Sequence, residues 1–85
     1  MSGDEVDHRL SKAIVVLLRN TTWRCGKLER LIVEHLHKEA FNLGKYGTPL
    51  REMLQKFGLK GKRRNEFIDA IKRLERRNII RVLNL

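Results

Sequence analysis

The chain has 85 residues, is 41% hydrophobic and carries a formal net charge of +9. That is one domain, residues 1–85, large enough to fold without disulfides or a metal and too apolar for a disordered basic tail. Its single cysteine, Cys25, excludes an internal disulfide, and its longest apolar run, Ala13 to Leu18, falls far short of the roughly twenty residues of a membrane span.

In chain order, Met1-Ser2-Gly3-Asp4-Glu5 is acidic and lacks a signal-peptide layout, so an intracellular, soluble protein is expected. Residues 1–4 are expected to be disordered. Over residues 5–20, Val6, Leu10, Ala13, Ile14, Leu17 and Leu18 share one face at helical spacing, which predicts an additional N-terminal helix capped by Asp4. Val15 and Val16 fall outside that stripe. Either the helix is sandwiched within the fold, or Val15 and Val16 form a homodimer interface.

Asn20-Thr21-Thr22 reads as a stop and restart, with Thr22 capping the next helix. From Trp23 to about Ala40, Cys25, Leu28, Leu31, Ile32, His35 and Leu36 line one side of that helix. The stretch Phe41 to Gly47 breaks the helical period, and Leu43 and Tyr46 are candidates for a short edge strand. Thr48-Pro49 then predicts a new helix, with Thr48 as N-cap and Pro49 at its first position. Leu50, Met53, Leu54 and Phe57 supply its apolar face, and Gly58 ends it. The last predicted helix spans about 62–77, Asn78 turns the chain left-handed, and Ile79 to Leu85 reads as a strand.

Charge is unevenly spread. Residues 1–40 hold seven Lys/Arg against six Asp/Glu, whereas residues 41–85 hold twelve against four. The excess gathers on the last helix: Lys60, Lys62, Arg63 and Arg64 at its start, Lys72, Arg73, Arg76 and Arg77 at its end. A helix N-terminus carries a partial positive charge, so bases there are unfavourable by roughly 0.3–1 kcal/mol each. The placement makes sense if an anion, above all a phosphate backbone, arrives from outside. Opposite the apolar Phe67, Ile71 and Leu74 lie Lys62, Asn65, Asp69, Lys72, Arg73 and Arg76. Asp69 fits such a row only by pairing with Arg73 or by accepting from a cytosine amine; the Arg73 pair is the expectation.

A short capped helix, a glycine turn and a longer basic helix make a helix-turn-helix. The segments Tyr46-Gly47-Thr48-Pro49-Leu50-Arg51-Glu52-Met53-Leu54 and Phe67 to Ile80, with its apolar-spaced helix, Leu74, charged residues, Asn78 and then Ile, resemble the winged-helix superfamily. The resemblance covers about residues 24–85 and identifies no member. It implies a mainly α fold with a small β element, an extra N-terminal helix, and a wing that, with the sequence stopping at Leu85, is short or absent or lies in a longer parent protein. It also implies double-stranded DNA as partner, with the 62–77 helix in the major groove of a transcriptional regulator or genome-associated binder. Lys60, Lys62, Arg63, Arg64, Asn65, Lys72, Arg73 and Arg76 are the nucleic-acid-binding candidates. Asn65 is the one suited to reading adenine, because its amide can pair bidentately with that base. The alternative is a winged-helix module for protein interaction or structured RNA.

Other chemistries are weaker. Gly58-Leu59-Lys60-Gly61 matches the GXXG loop of KH domains, but the further strands and helix of a KH domain have no counterpart here. Followed by Lys62, the same loop lacks the spacer and the Ser/Thr of a phosphate loop. His8, His35, His37 and Cys25 do not have metal-ligand spacing, and His35 reads as a core or interface histidine. No catalytic cluster appears, so neither an enzyme nor a cofactor or small-molecule substrate is expected.

Overall fold

The computed structural model describes residues 12–84. Strand β1 (Ala13–Leu17) is followed by helix α1 (Lys27–Leu43), strand β2 (Gly47–Pro49), helix α2 (Leu50–Phe57), helix α3 (Lys62–Arg76) and strand β3 (Ile80–Asn84). The three strands form one antiparallel sheet in the order β2-β1-β3. The fold is a small α/β domain, mostly helical, with its core between the helices and the sheet.

The expected helix over residues 5–20 is not what residues 13–17 form; they are the central strand. Residues 5–11, like the expected disorder of 1–4, lie outside the described residues. Ala13, Ile14, Val15, Val16 and Leu17 satisfy both a helical stripe and a strand covered on both faces. The β-branched run Ile14-Val15-Val16 is compatible with the strand, where χ1 restriction costs less, and pairing with Ile80–Asn84 decides for it. Strand side chains alternate between faces, so Ala13 and Val15 are fully buried while Ile14 and Val16 are half-buried on the other side. The apolar excess around the expected helix is the signature of a two-faced strand, and Val15 is unavailable as a dimer face.

Helix α1 begins at Lys27 rather than Trp23. Thr22 does not cap it: its carbonyl accepts the Cys25 N–H at 3.1 Å in a turn. The start is fixed instead by Glu29, whose Oε1 accepts the Gly26 N–H at 3.2 Å, the reciprocal half of a capping box. The helix then runs three residues into the stretch expected to break it and stops within that stretch, at Leu43, with Gly44 left-handed.

Thr48 also differs from expectation. The residue before a proline is pushed toward extended backbone, so Thr48 joins β2 opposite Val15, and α2 begins only at Leu50. Pro49 is tolerated there because β2 is an edge strand. The edge strand expected from Leu43 and Tyr46 thus lies one step further on. Lys45 Nζ donates to Glu52 Oε1 at 2.7 Å, tying the preceding loop to α2.

The turn between α2 and α3 follows the sequence closely. Gly58 and Leu59 donate to Gln55 and Leu54 carbonyls at 3.2 Å, a Schellman closure whose two leucines pack against the core. Gly61 has φ 60° and ψ −128°, a region open essentially to glycine alone. Gly61→Ala is expected to cost about 1–3 kcal/mol, read as a lower urea midpoint with unchanged slope. At the far end of α3, Asn78 has φ 58°, and the Ile79 N–H reaches the Leu74 carbonyl at 3.0 Å. Asn78 plays the left-handed role expected of it.

Inward, α3 buries Phe67, Ala70, Ile71 and Leu74 against Ile32, Val33, Leu36 and the sheet. His35 sits edge-on to Phe57, ring centroids 5.3 Å apart, and burial pushes its pKa below the ordinary 6.5. It lies at the core boundary, with its Nε2 3.8 Å from Glu39 Oε1. Among the described residues, no helix is long and apolar enough to cross a membrane.

Candidate nucleic-acid interface

Because the inner face of α3 is consumed by the core, its opposite face is fixed toward solvent. Lys62, Asn65, Asp69, Lys72, Arg73 and Arg76 are all exposed, and at 3.6 residues per turn they form one continuous outward row. The helix is about 22 Å long at 1.5 Å per residue, so the row spans several phosphate spacings of a nucleic-acid strand.

The N-terminus of α3 has no side-chain cap and no acid in its first turn, whereas α1 carries Glu29 there and α2 carries Glu52. Lys62 and Arg63 instead stand exposed at that positive end. Among the described residues, Lys60, Lys62, Arg63, Lys72 and Arg76 form no ion pair. Their charge is uncompensated and accessible.

Not every predicted residue is equally available. Arg64 is half-buried and turns toward α2, where it lines a shallow concavity of about 520 Å³ with Arg51, Leu54, Gln55, Leu59 and Lys60. Arg63 turns the other way, toward a groove bordered by Leu28, Leu31 and Phe57 with Lys27 and Glu66 at its edge. Arg73 does not pair with Asp69 as expected; its Nε lies 3.3 Å from Glu29 Oε1. Glu29 is only 7% exposed, and a carboxylate that buried draws a cation more strongly than Asp69 on the open surface. The guanidinium of Arg73 remains half exposed, so this contact pins α3 to α1 without removing it from the row.

Several basic residues were absent from the sequence-derived set. Arg51 extends the positive surface from α3 onto α2. Arg77 lies in the turn after α3 with its guanidinium committed to the β1–α1 connection: Nη2 donates to the Trp23 carbonyl at 2.6 Å and Nη1 to the Arg24 carbonyl at 3.3 Å. Its own carbonyl accepts Arg19 Nη2 at 2.9 Å. Arg24, Arg73, Arg76 and Arg77 surround a second concavity of about 390 Å³, with Glu29 as its one acid. Arg51 was findable, since it falls on the polar side of a short amphipathic helix. Arg24 was not, because its position depends on a turn that packs against α3 from a distant part of the chain.

Among the described residues, no group of three or more His, Cys, Asp or Glu is arranged to hold a metal ion. His37 stacks on Phe41 at 5.9 Å, away from His35. No protein-family model, curated protein or solved structure matches the chain.

Proposed function

We propose that this protein binds double-stranded DNA with α3 in the major groove, as a transcriptional regulator or genome-associated binder. The observation that carries the proposal is the outward row of α3: exposed, basic at both ends, without an acid at its N-terminus, and with Asn65 in its first turn. Lys60, Lys62, Arg63, Arg64 and Arg51 contact phosphates around the start of α3, and Lys72, Arg73 and Arg76 follow the backbone further along. Asn65 reads a base edge.

The strand order supports a winged-helix-like architecture of unusual connectivity. A winged helix carries a hairpin after its recognition helix, so that a return strand lies antiparallel to the strand leaving that helix. Here β1 lies antiparallel to β3, with Ala13 opposite Asn84, and that pairing supports the likeness. The alternative, a module for protein interaction, draws on Phe41, Leu43 and Tyr46, all largely exposed at the end of α1.

The test is fluorescence anisotropy against duplexes selected from a random pool and against scrambled duplexes. Lys62→Ala is expected to weaken binding to both alike. Asn65→Ala is expected to erase about 1–3 kcal/mol of preference for the selected sequence while sparing scrambled DNA. Equal losses on both duplexes would remove the reading role from Asn65, and absence of duplex binding even at low salt would remove the function.

A further inference from the structure

The single tryptophan of this chain is not in its core. Trp23 is 70% exposed, at the tip of the β1–α1 connection, with the Arg24 guanidinium 5.7 Å from its ring centroid. A large aromatic is worth most to stability when buried, so folding alone does not account for an exposed one held in a defined turn. The turn is well defined. Trp23 N–H donates to Thr21 Oγ1 at 3.2 Å, Cys25 N–H to the Thr22 carbonyl, and Arg77 holds the Trp23 and Arg24 carbonyls.

The turn is also strained. Arg24 has φ 56°, a left-handed conformation that a long side chain adopts at a cost. Strain that the surroundings enforce is a pointer to use rather than to packing. Its effect is to bring Arg24 to the concavity it shares with Arg73, Arg76 and Arg77. Glu29, the one carboxylate there, is already engaged by Arg73 and by the Gly26 N–H. Four arginines therefore line a cleft with one occupied acid; Arg77 is held by backbone carbonyls and Arg73 by Glu29, which leaves Arg24 and Arg76 to meet an entering anion.

An exposed aromatic face beside an arginine-lined cleft has the two recognition elements of an unpaired nucleotide. We infer that Trp23 and Arg24, with Arg76, form a binding site for single-stranded DNA flanking the duplex, the base stacking on Trp23 and its phosphate entering the arginine cleft. Arg77 is a positioning residue that holds the turn. The site is continuous with the outward row of α3 through Arg73 and Arg76, so a strand followed along α3 meets Trp23 where pairing ends. The preferred partner is then a duplex with a single-stranded tail. The inference rests on the proposed function for the duplex part alone.

Because Trp23 is the only tryptophan, its emission reports on this site directly. Three probes are titrated: a blunt duplex, the same duplex with a thymidine tail of about four nucleotides, and the tail alone. The tail is expected to tighten duplex binding about tenfold, consistent with stacking of one base, and to quench Trp23, whereas the blunt duplex leaves emission unchanged. Trp23→Leu and Arg24→Gly are expected to remove the tail-dependent gain while leaving blunt-duplex affinity within about twofold. Trp23→Phe, which keeps an aromatic face, retains most of the gain. Arg24→Gly is the safer variant, since glycine is at ease at φ 56° and the fold is kept. Blunt and tailed duplexes that bind and quench alike would overturn the inference and leave the proposed function standing. Quenching by the tail alone, with no blunt-duplex binding, would uphold the site and overturn the duplex reading.

Discussion

Val15→Asp is expected to abolish the cooperative thermal transition followed by far-UV circular dichroism. Val15 has no solvent exposure and pairs with Thr48 on one side and Val82 on the other, so the substitution sets a carboxylate at the centre of the sheet. The described core offers no cation beside it, and the loss of about 4–5 kcal/mol approaches the whole stability of a domain this size. Val16→Asp is the informative companion. Val16 is half-buried opposite Gly47, where a carboxylate keeps some contact with water, so a lowered but still cooperative transition is expected. A Val15→Asp protein that melts cooperatively and differs only in its sedimentation would restore the interface role that the sequence suggested and contradict the central strand.

That contrast shows where the sequence could be read and where it could not. The turn at Gly58–Gly61, the basic helix after it and the left-handed Asn78 were legible because each rests on local chemistry: glycine at positive φ, periodicity over several turns, a Schellman closure within six residues. Ala13–Leu17 was not. Five apolar residues fit a helix as well as a doubly covered strand, and the choice between them rests on pairing with Ile80–Asn84 at the other end of the chain. Thr48 failed for a related reason: its capping signature is real, but the pull of Pro49 toward extended backbone and a waiting strand at Val15 outweighed it. In the candidate site, the outward row of α3 followed from helical geometry alone. Which arginines are engaged did not, because Arg73 meets Glu29 across 44 residues and Arg77 meets the Trp23 carbonyl across 54. Periodicity locates a side chain on a helix; only the packed fold supplies its partner.

Duplex affinity is expected to fall about a thousandfold as salt rises from about 50 to 200 mM. Each neutralised phosphate contributes about 0.9 to the slope of log affinity against log salt, and the basic residues around and along α3 supply about six such contacts. Lys60, Lys62, Arg63, Lys72 and Arg76 have no ion pair to break among the described residues, so their charge is available to DNA. Arg73 contributes less, because DNA must compete with Glu29 for it. Asp69 and Glu66 oppose the row, and replacing Asp69 by Asn should therefore tighten binding at low salt by removing a repulsion close to the phosphates. Lys72→Ala should lower the slope by about one, with an equal change on every duplex sequence. Arg77→Ala is expected to behave differently: its guanidinium is committed to backbone carbonyls, so its loss should lower stability and leave the salt slope nearly intact. A slope below about two would mean that α3 does not track a phosphate backbone, whatever else its exposed row contacts.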